Sequence, residues 1–430
     1  MPKMSAKNLW VVDICPHLRY NGEDVNVITS SPFYLLYNSE RRYPSVLIKN
    51  GTIHNGVGST YPGDIRIADG CIAEVGNHLE PQTNEEVFDA RGMDILPGFI
   101  QTVSNWGVNG SMTEIRPSSN DNDETSAPIM PELDAFYAFN GRAATAQQLS
   151  AFGVTACGVA PTENNLFGGV IAAFTVEGVN PYKMVLKRDI GMMASVTNAL
   201  KQTYGTRPAA PMTRMWIFTT LKEQLRKAAE YKQEADKPAD EKLIALKRVV
   251  EGELPLFVTC DSKLAMERVM EITAPYEKLR LVIVNGYELD GSETELVEKH
   301  IPVVVHTAAM PLDEDAMRLD KKGIAALVDK GALVALSGSA GTLAAREDCL
   351  WNAMEMMRLC HDSDRVLPLI TSNPAKILGI DGVTGSLEAG KRADLVIWTE
   401  DPLTSWQARI VRTFIGGEVT YQEGDALKCM

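Results

Sequence analysis

Two side chains in this sequence suit proton transfer at a shared place, Asp261 and His306. Each follows a short apolar run, Leu256-Phe257-Val258-Thr259-Cys260-Asp261 and Ile301-Pro302-Val303-Val304-Val305-His306. A carboxylate at the end of a buried strand must be solvated, paired with a cation or protonated. A lone histidine there is either a base or a hydrogen-bonded structural group, and the structural role is the commoner of the two. Strand alternation puts Thr259 and Asp261 on one face and Cys260 on the other, so Cys260 reads as a small core residue rather than a nucleophile. Cys157, in Thr155-Ala156-Cys157-Gly158, reads the same way. A transition metal is harder to place. It is held by imidazoles brought close together, and His17, His54, His78, His300, His306 and His361 include no close pair.

The chain of 430 residues is long enough for two or three domains, or for a large α/β barrel with a smaller companion. Lysine and arginine number 42 against 56 aspartates and glutamates, a net charge of −14, so neither a nucleic-acid backbone nor an anionic membrane is expected as a partner. The seven cysteines are scattered and form no CxxC pair, which points to neither a disulfide framework nor a zinc knuckle. In residues 1–20 the apolar run is only Leu9-Trp10-Val11-Val12, too short for a signal peptide, and no later stretch has membrane-spanning length. The expectation is a soluble cytoplasmic protein.

Short β-type runs occupy both ends. Val46-Leu47-Ile48-Lys49-Asn50-Gly51-Thr52-Ile53 reads as a strand with an Asn-Gly turn, and residues 64–75 read as a hairpin about Asp69-Gly70. Residues 393–398 and 411–421 repeat that character, the latter turning at Gly416-Gly417. Together they predict one discontinuous β-sandwich domain built from both termini. The middle alternates buried-type strands, at 154–159, 170–176, 256–260, 281–284, 303–306 and 332–336, with helical stretches at 262–275, 320–331 and 347–360. That alternation predicts βα units closed into a (β/α)8 TIM barrel. Two further helices are expected in 214–251, broken at Lys237-Pro238-Ala239-Asp240, with Leu221, Leu225, Ala228 and Ala229 on the inner face. Met354, Met356 and Met357 read as core packing. The expected boundaries are an N-terminal extension and first β portion at 1–95, the barrel at 96–381 and the second β portion at 382–430. Within the extension, Pro32-Phe33-Tyr34-Leu35-Leu36-Tyr37 is apolar enough to need covering.

Three phrases carry a family likeness. Leu96-Pro97-Gly98-Phe99-Ile100 opens the first barrel strand. Thr371-Ser372-Asn373-Pro374-Ala375-Lys376-Ile377-Leu378-Gly379 and Gly385-Ser386-Leu387-Glu388-Ala389-Gly390-Lys391-Arg392-Ala393-Asp394-Leu395-Val396 close the chain. The set resembles the amidohydrolase superfamily, most nearly its imidazolonepropionase-like branch. That resemblance implies one or two divalent metals, commonly zinc, at the barrel mouth. Their ligands are a His-x-His pair from the first strand, histidines from the fifth and sixth, and an aspartate from the eighth. Carried onto this chain, the first pair falls on Val103 and Asn105. The fifth-strand positions fall on Thr259 and Asp261, the sixth on Asn285, and the eighth on Ser339 in Ser337-Gly338-Ser339. Each position has changed, to groups that hold zinc weakly or not at all.

The expectation is therefore a degenerate metal site with no cofactor, in a pseudoenzyme that associates with itself or with an active amidohydrolase relative. Asn105, Thr259, Asn285 and Ser339 are expected to line the emptied pocket, where a small molecule could bind. The alternative is a metal-independent hydrolase of non-peptide carbon–nitrogen bonds in a cyclic amide, with Asp261 and His306 as its acid–base pair. Asn164-Asn165-Leu166-Phe167-Gly168-Gly169 resembles the family's loop before the third strand, its glycines expected in a tight turn near the mouth. It is not a phosphate loop, because no Lys-Ser/Thr follows.

Overall fold

A computed structural model describes residues 45–108, 121–143, 148–205, 210–233, 236, 238–289, 291–306, 320–338 and 346–425. The apolar run Pro32 to Tyr37 and Ser339 lie outside them.

Strands from both termini build one sheet. β1 (Val46–His54), β2 (Thr60–Ala68), β3 (Cys71–Gly76), β4 (Glu86–Asp89) and β5 (Asp94–Pro97) come from the first portion. Asp69 and Gly70 join β2 to β3 with φ of 50° and 81°, the left-handed pair that a tight I′ hairpin requires. Asn50-Gly51 does not turn the chain. β1 runs through it as a bulge, with Asn50 at φ 61° and the register shifting between Ile48 and Gly51. The amide of Asn50 is taken by Asp64 Oδ1 at 2.8 Å.

In the barrel, β6 (Phe99–Ser104), β7 (Val154–Val159), β8 (Phe167–Thr175), β9 (Val185–Ser195), β10 (Leu256–Thr259), β11 (Leu281–Val284), β12 (Val303–His306) and β13 (Val334–Ser337) stand side by side in sequence order. The last strands, β14 (Leu395–Trp398), β15 (Ile410–Ile415) and β16 (Glu418–Gln422), return to the terminal sheet. There β14 pairs antiparallel with β5, so the two portions form one continuous sheet in place of the two facing sheets expected. The sheet curls on itself: Ile48, Ile67, Ile95, Leu395 and Phe414 share one buried core, and Gly417 lies against Gly70.

The barrel departs from the all-parallel expectation at one strand. β8 is antiparallel to both β7 and β9, while the other pairings are parallel. The connections at 160–166 and 176–184 are shorter than the roughly dozen residues a parallel crossover needs, so the chain must double back. β6 and β13 stand at the two ends of the ladder order. Their seam is closed by Ser337, whose Oγ accepts from Thr102 N and Val103 N at 3.2 and 3.4 Å and lies 3.2 Å from the Val103 carbonyl.

Ile100, Ala156, Ile171, Met193, Phe257 and Val304 fill the barrel, and the helix Ser372–Leu378 adds Ala375 and Leu378. Asn373 on that helix donates to the Val334 carbonyl at 2.8 Å, at the start of β13, so the helix closes the amino-terminal end of the barrel. The expected helices appear as Arg214–Glu230, Glu241–Val250, Lys263–Thr273, Lys321–Asp329 and Asp348–Cys360. Leu221, Leu225 and Ala228 are buried at i, i+4 and i+7, but Ala229 is exposed because the helical stripe has rotated past it. Met356 is buried in the outer core and Met357 packs against it. Among the described residues no helix is long and apolar enough to cross a membrane.

Candidate site at the barrel mouth

The carboxyl ends of the strands bring most of the singled-out residues to one place. On β10, Phe257 packs inside the barrel while Val258 and Cys260 join the outer core, so Thr259 and Asp261 fall on the inner side as alternation requires. Thr259 is 1% exposed, and its Oγ1 has no hydrogen-bond partner among the described residues. Beside it, Ser195 Oγ at the end of β9 lies 3.1 Å from Thr197 Oγ1. Asn105 is buried just past β6.

His306 reaches across the mouth. Its Nδ1 lies 2.6 Å from Asn285 Oδ1, and its Nε2 lies 2.9 Å from the Val103 carbonyl on β6. Burial pushes its pKa below the ordinary histidine value, against the Val103 carbonyl and Asp348, which favour the charged ring. In the neutral ring Nε2 must carry the proton, because a carbonyl only accepts. Nδ1 is then an acceptor facing Asn285 Oδ1. A neutral ring makes that contact only with the Asn285 amide turned over so that its NH2 donates; with Oδ1 in place, Nδ1 must also carry a proton. Asn285 itself sits at φ 66°, a left-handed conformation uncommon outside glycine. Both ring nitrogens are thus committed to holding β11, β12 and β6 together.

Asp261 is 8% exposed and faces Tyr287. Burial raises the Tyr287 phenol's pKa, and the carboxylates of Asp261 and Glu163 raise it further. The structure therefore joins His306 to Asn285 and Val103, while Asp261 acts electrostatically on Tyr287.

Among the described residues, those at the positions the resemblance names lack the imidazole set of its divalent metal centre. Val103 offers only a carbonyl already bonded to His306, the two nitrogens of His306 are engaged, Thr259 and Ser337 offer neutral hydroxyls, and Asp261 offers one carboxylate. Among the described residues no three His, Cys, Asp or Glu side chains cluster to hold a metal.

One polar network near the mouth was not recognised in the sequence. Asp123 accepts hydrogen bonds from Thr162 Oγ1 and, at 2.6 Å, from Asn164 Nδ2, while Asn164 Oδ1 accepts from Thr203 Oγ1 at 3.1 Å. The neighbouring Asn165 accepts from Tyr204 and donates to the Glu124 carbonyl at 2.9 Å. Its one sequence signal is the polar pair Asn164-Asn165 facing the acidic run at 121–124 across the fold. The following glycines are not a turn. Gly168 and Gly169 lie inside β8, and at Gly169 a Cβ would sit 2.7 Å from the Leu133 carbonyl, so glycine admits the crossing segment.

Burial raises the pKa of Asp123 despite its hydrogen bonds to Thr162 and Asn164. A carboxyl raised in the folded state binds its proton more tightly there than when unfolded. Its stabilising effect is whole below the ordinary aspartate value and declines as pH rises through the folded pKa. Asp123→Asn is accordingly expected to gain stability relative to wild type at pH 7.5 and to show no gain near pH 3.5. Urea unfolding midpoints at the two pH values check this.

The described thiols behave as core groups. Burial raises the Cys157 and Cys349 pKa values to about 12 and raises that of Cys260 further, with Asp261 adding to the effect. At pH 7.5 iodoacetamide is expected to modify the half-buried Cys360 well before these three, as read by peptide mass spectrometry.

An amidohydrolase-family model matches residues 211–420. That span holds β10 to β15 and so contains Thr259, Asp261, Asn285 and His306. The structure is similar to that of an amidohydrolase from Thermotoga maritima MSB8, with a TM-score of 0.80 and 25% identity, covering 88% of this chain and 100% of that one. Molinate hydrolase shares the fold with a TM-score of 0.54 and 15% identity, over 88% of this chain and 95% of its own. The ochratoxinase of A. niger does so at 0.53 and 12%, over 89% and 97%. In sequence, 56 residues are 45% identical to a dihydroorotase of Bacillus pumilus (strain SAFR-032), a match spanning 13% of each chain.

Proposed function

We propose that this chain is a non-catalytic amidohydrolase relative, of the imidazolonepropionase-like branch, whose barrel serves as a rigid body for association with itself or with an active relative. The observation that carries the reading is the clasp formed by His306. A metal ligand or general base needs a free lone pair, and this imidazole uses both nitrogens to hold Asn285 and the Val103 carbonyl. Of the other inward groups, Thr259 and Ser337 are neutral hydroxyls, and Asp261 is a single carboxylate. The absence of a disulfide framework among the scattered cysteines supports a cytoplasmic setting.

The test uses the full chain purified from its native host without chelators. Light scattering after size exclusion is expected to give a mass above one chain, or a stoichiometric complex with a second amidohydrolase, and elemental analysis less than a tenth of an equivalent of zinc, iron, manganese or nickel. A monomer holding one equivalent of metal and hydrolysing a cyclic amide overturns the reading.

A second reading has its own support. Burial lowers the His306 pKa, and the Asp261 carboxylate raises that of the Tyr287 phenol. Metal-free hydrolysis of a non-peptide carbon–nitrogen bond would draw on these groups. Unchanged turnover in both Asp261→Ala and His306→Ala removes it.

A further inference from the structure

Far from the mouth, four side chains join the terminal sheet to the barrel. His54, at the end of β1, is 5% exposed. Its Nε2 lies 2.7 Å from Asp94 Oδ1 on β5, and its Nδ1 lies 3.0 Å from Thr60 Oγ1, its cross-strand partner on β2. Thr60 Oγ1 lies 2.6 Å from Asp364 Oδ1. Asp364 belongs to the short helix Ser363–Val366, which runs on through the turn Leu367–Ile370 into the helix closing the amino-terminal end of the barrel.

Counting protons decides the state of this relay. Each of the three contacts needs one proton between its two heavy atoms. Ionised carboxylates only accept, the threonine hydroxyl supplies one proton, and a neutral imidazole supplies one. Two protons cannot serve three contacts. With a neutral ring, either the His54–Thr60 or the Thr60–Asp364 pair faces lone pair to lone pair. The imidazolium supplies the missing proton and completes the chain as Asp94, ring, hydroxyl, Asp364. The charged groups facing the relay are Asp94 from β5 and Asp364 from the helix; Arg365, the cation of that helix, is paired with Asp329.

We propose that His54 is a proton-operated latch between the terminal sheet and the barrel. The doubly protonated ring holds Thr60 and Asp364 in register, and loss of a proton releases the contact. The latched form carries a proton that the released form lacks, so docking is favoured as pH falls and weakens as pH rises. The segment freed would be the loop 55–59, whose Gly56 lies against Pro97, Gly385 and Thr371.

Hydrogen exchange of the full chain tests this, with protection corrected for intrinsic rates and read in peptides spanning 55–60 and 363–370. In the wild type, protection is expected to fall roughly tenfold between pH 6 and pH 8, the worth of one charge-assisted hydrogen bond. Thr60→Val removes the middle link and should give low protection at both pH values. Asp364→Asn gives the opposite result: its NH2 donates to the hydroxyl, whose proton then serves a neutral ring, so protection should stay high at both. Nitrogen-15 spectra of the ring should show both nitrogens protonated at pH 6. Equal wild-type protection at the two pH values, or the wild-type fall persisting in Asp364→Asn, overturns the proposal.

Discussion

His306→Ala is expected to lower the free energy of unfolding by about 3 kcal/mol at pH 7.5, through the volume of a lost ring plus a buried amide left unpaired at Asn285. Ser337 still lies within hydrogen-bond reach of the Val103 carbonyl, so that group is only partly orphaned. The pH dependence sharpens the test. The folded-state pKa of His306 is depressed by burial, so the stability it contributes is present above the ordinary histidine value and is lost as pH falls through the folded value. The gap between wild type and His306→Ala should therefore narrow between pH 7.5 and pH 5, as read from urea unfolding at each pH. A variant as stable as wild type at pH 7.5 would show that the clasp holds nothing.

Gly158→Ala should be about as damaging, at about 3 kcal/mol, near the top of the range for overpacking. Gly158 lies in β7 where that strand passes β6, and its carbonyl accepts from Ser104 Oγ at 2.9 Å. A Cβ there would sit 2.1 Å from the Thr102 carbonyl oxygen and 2.8 Å from Leu378. The leucine can rotate, but the Thr102 carbonyl is backbone, so β6 itself would have to move away from β7. Gly382→Ala makes the control, since nothing lies within 4 Å of its added methyl and it needs no left-handed backbone. Soluble yield and urea midpoints of the two variants should separate cleanly; equal midpoints would mean that β6 and β7 can slide apart at little cost.

How far the sequence could be read depends on where each feature's information lies. The apolar runs that became β7 and β11 are local and uninterrupted, and they fall where the pattern places them. β9 was not recognised, because its first half is half-exposed, with Lys187, Arg188 and Asp189, and its second half is buried on both faces. Neither period persists along its length. Gly191 adds to the disguise, although Phe257 needs that glycine, since a Cβ there would come within 2.4 Å of its ring. The reversal of β8 was likewise hidden, since alternation reports which face is buried but says nothing of direction. Only the shortness of the flanking connections could have shown it.

The inward register of Thr259 and Asp261 was legible for the same local reason. The grip of His306 on the Val103 carbonyl was not, because it joins positions 203 residues apart, as was the Asp123 network across 39 to 41 residues. Asn50-Gly51 shows the opposite failure. A strong turn signal was overruled by Asp64, which accepts the amide that a bulge sets free and so lets the strand continue.

The side-chain seam between β6 and β13 has a mechanical consequence. A ladder shares load over many parallel bonds, whereas among the described residues this join runs through the Ser337 hydroxyl, with the His306 imidazole of β12 reaching the same Val103 carbonyl, and so concentrates load at Val103. Under tension applied across the barrel wall, this line should tear first, opening the cylinder into a flat ribbon while its other strands remain laced.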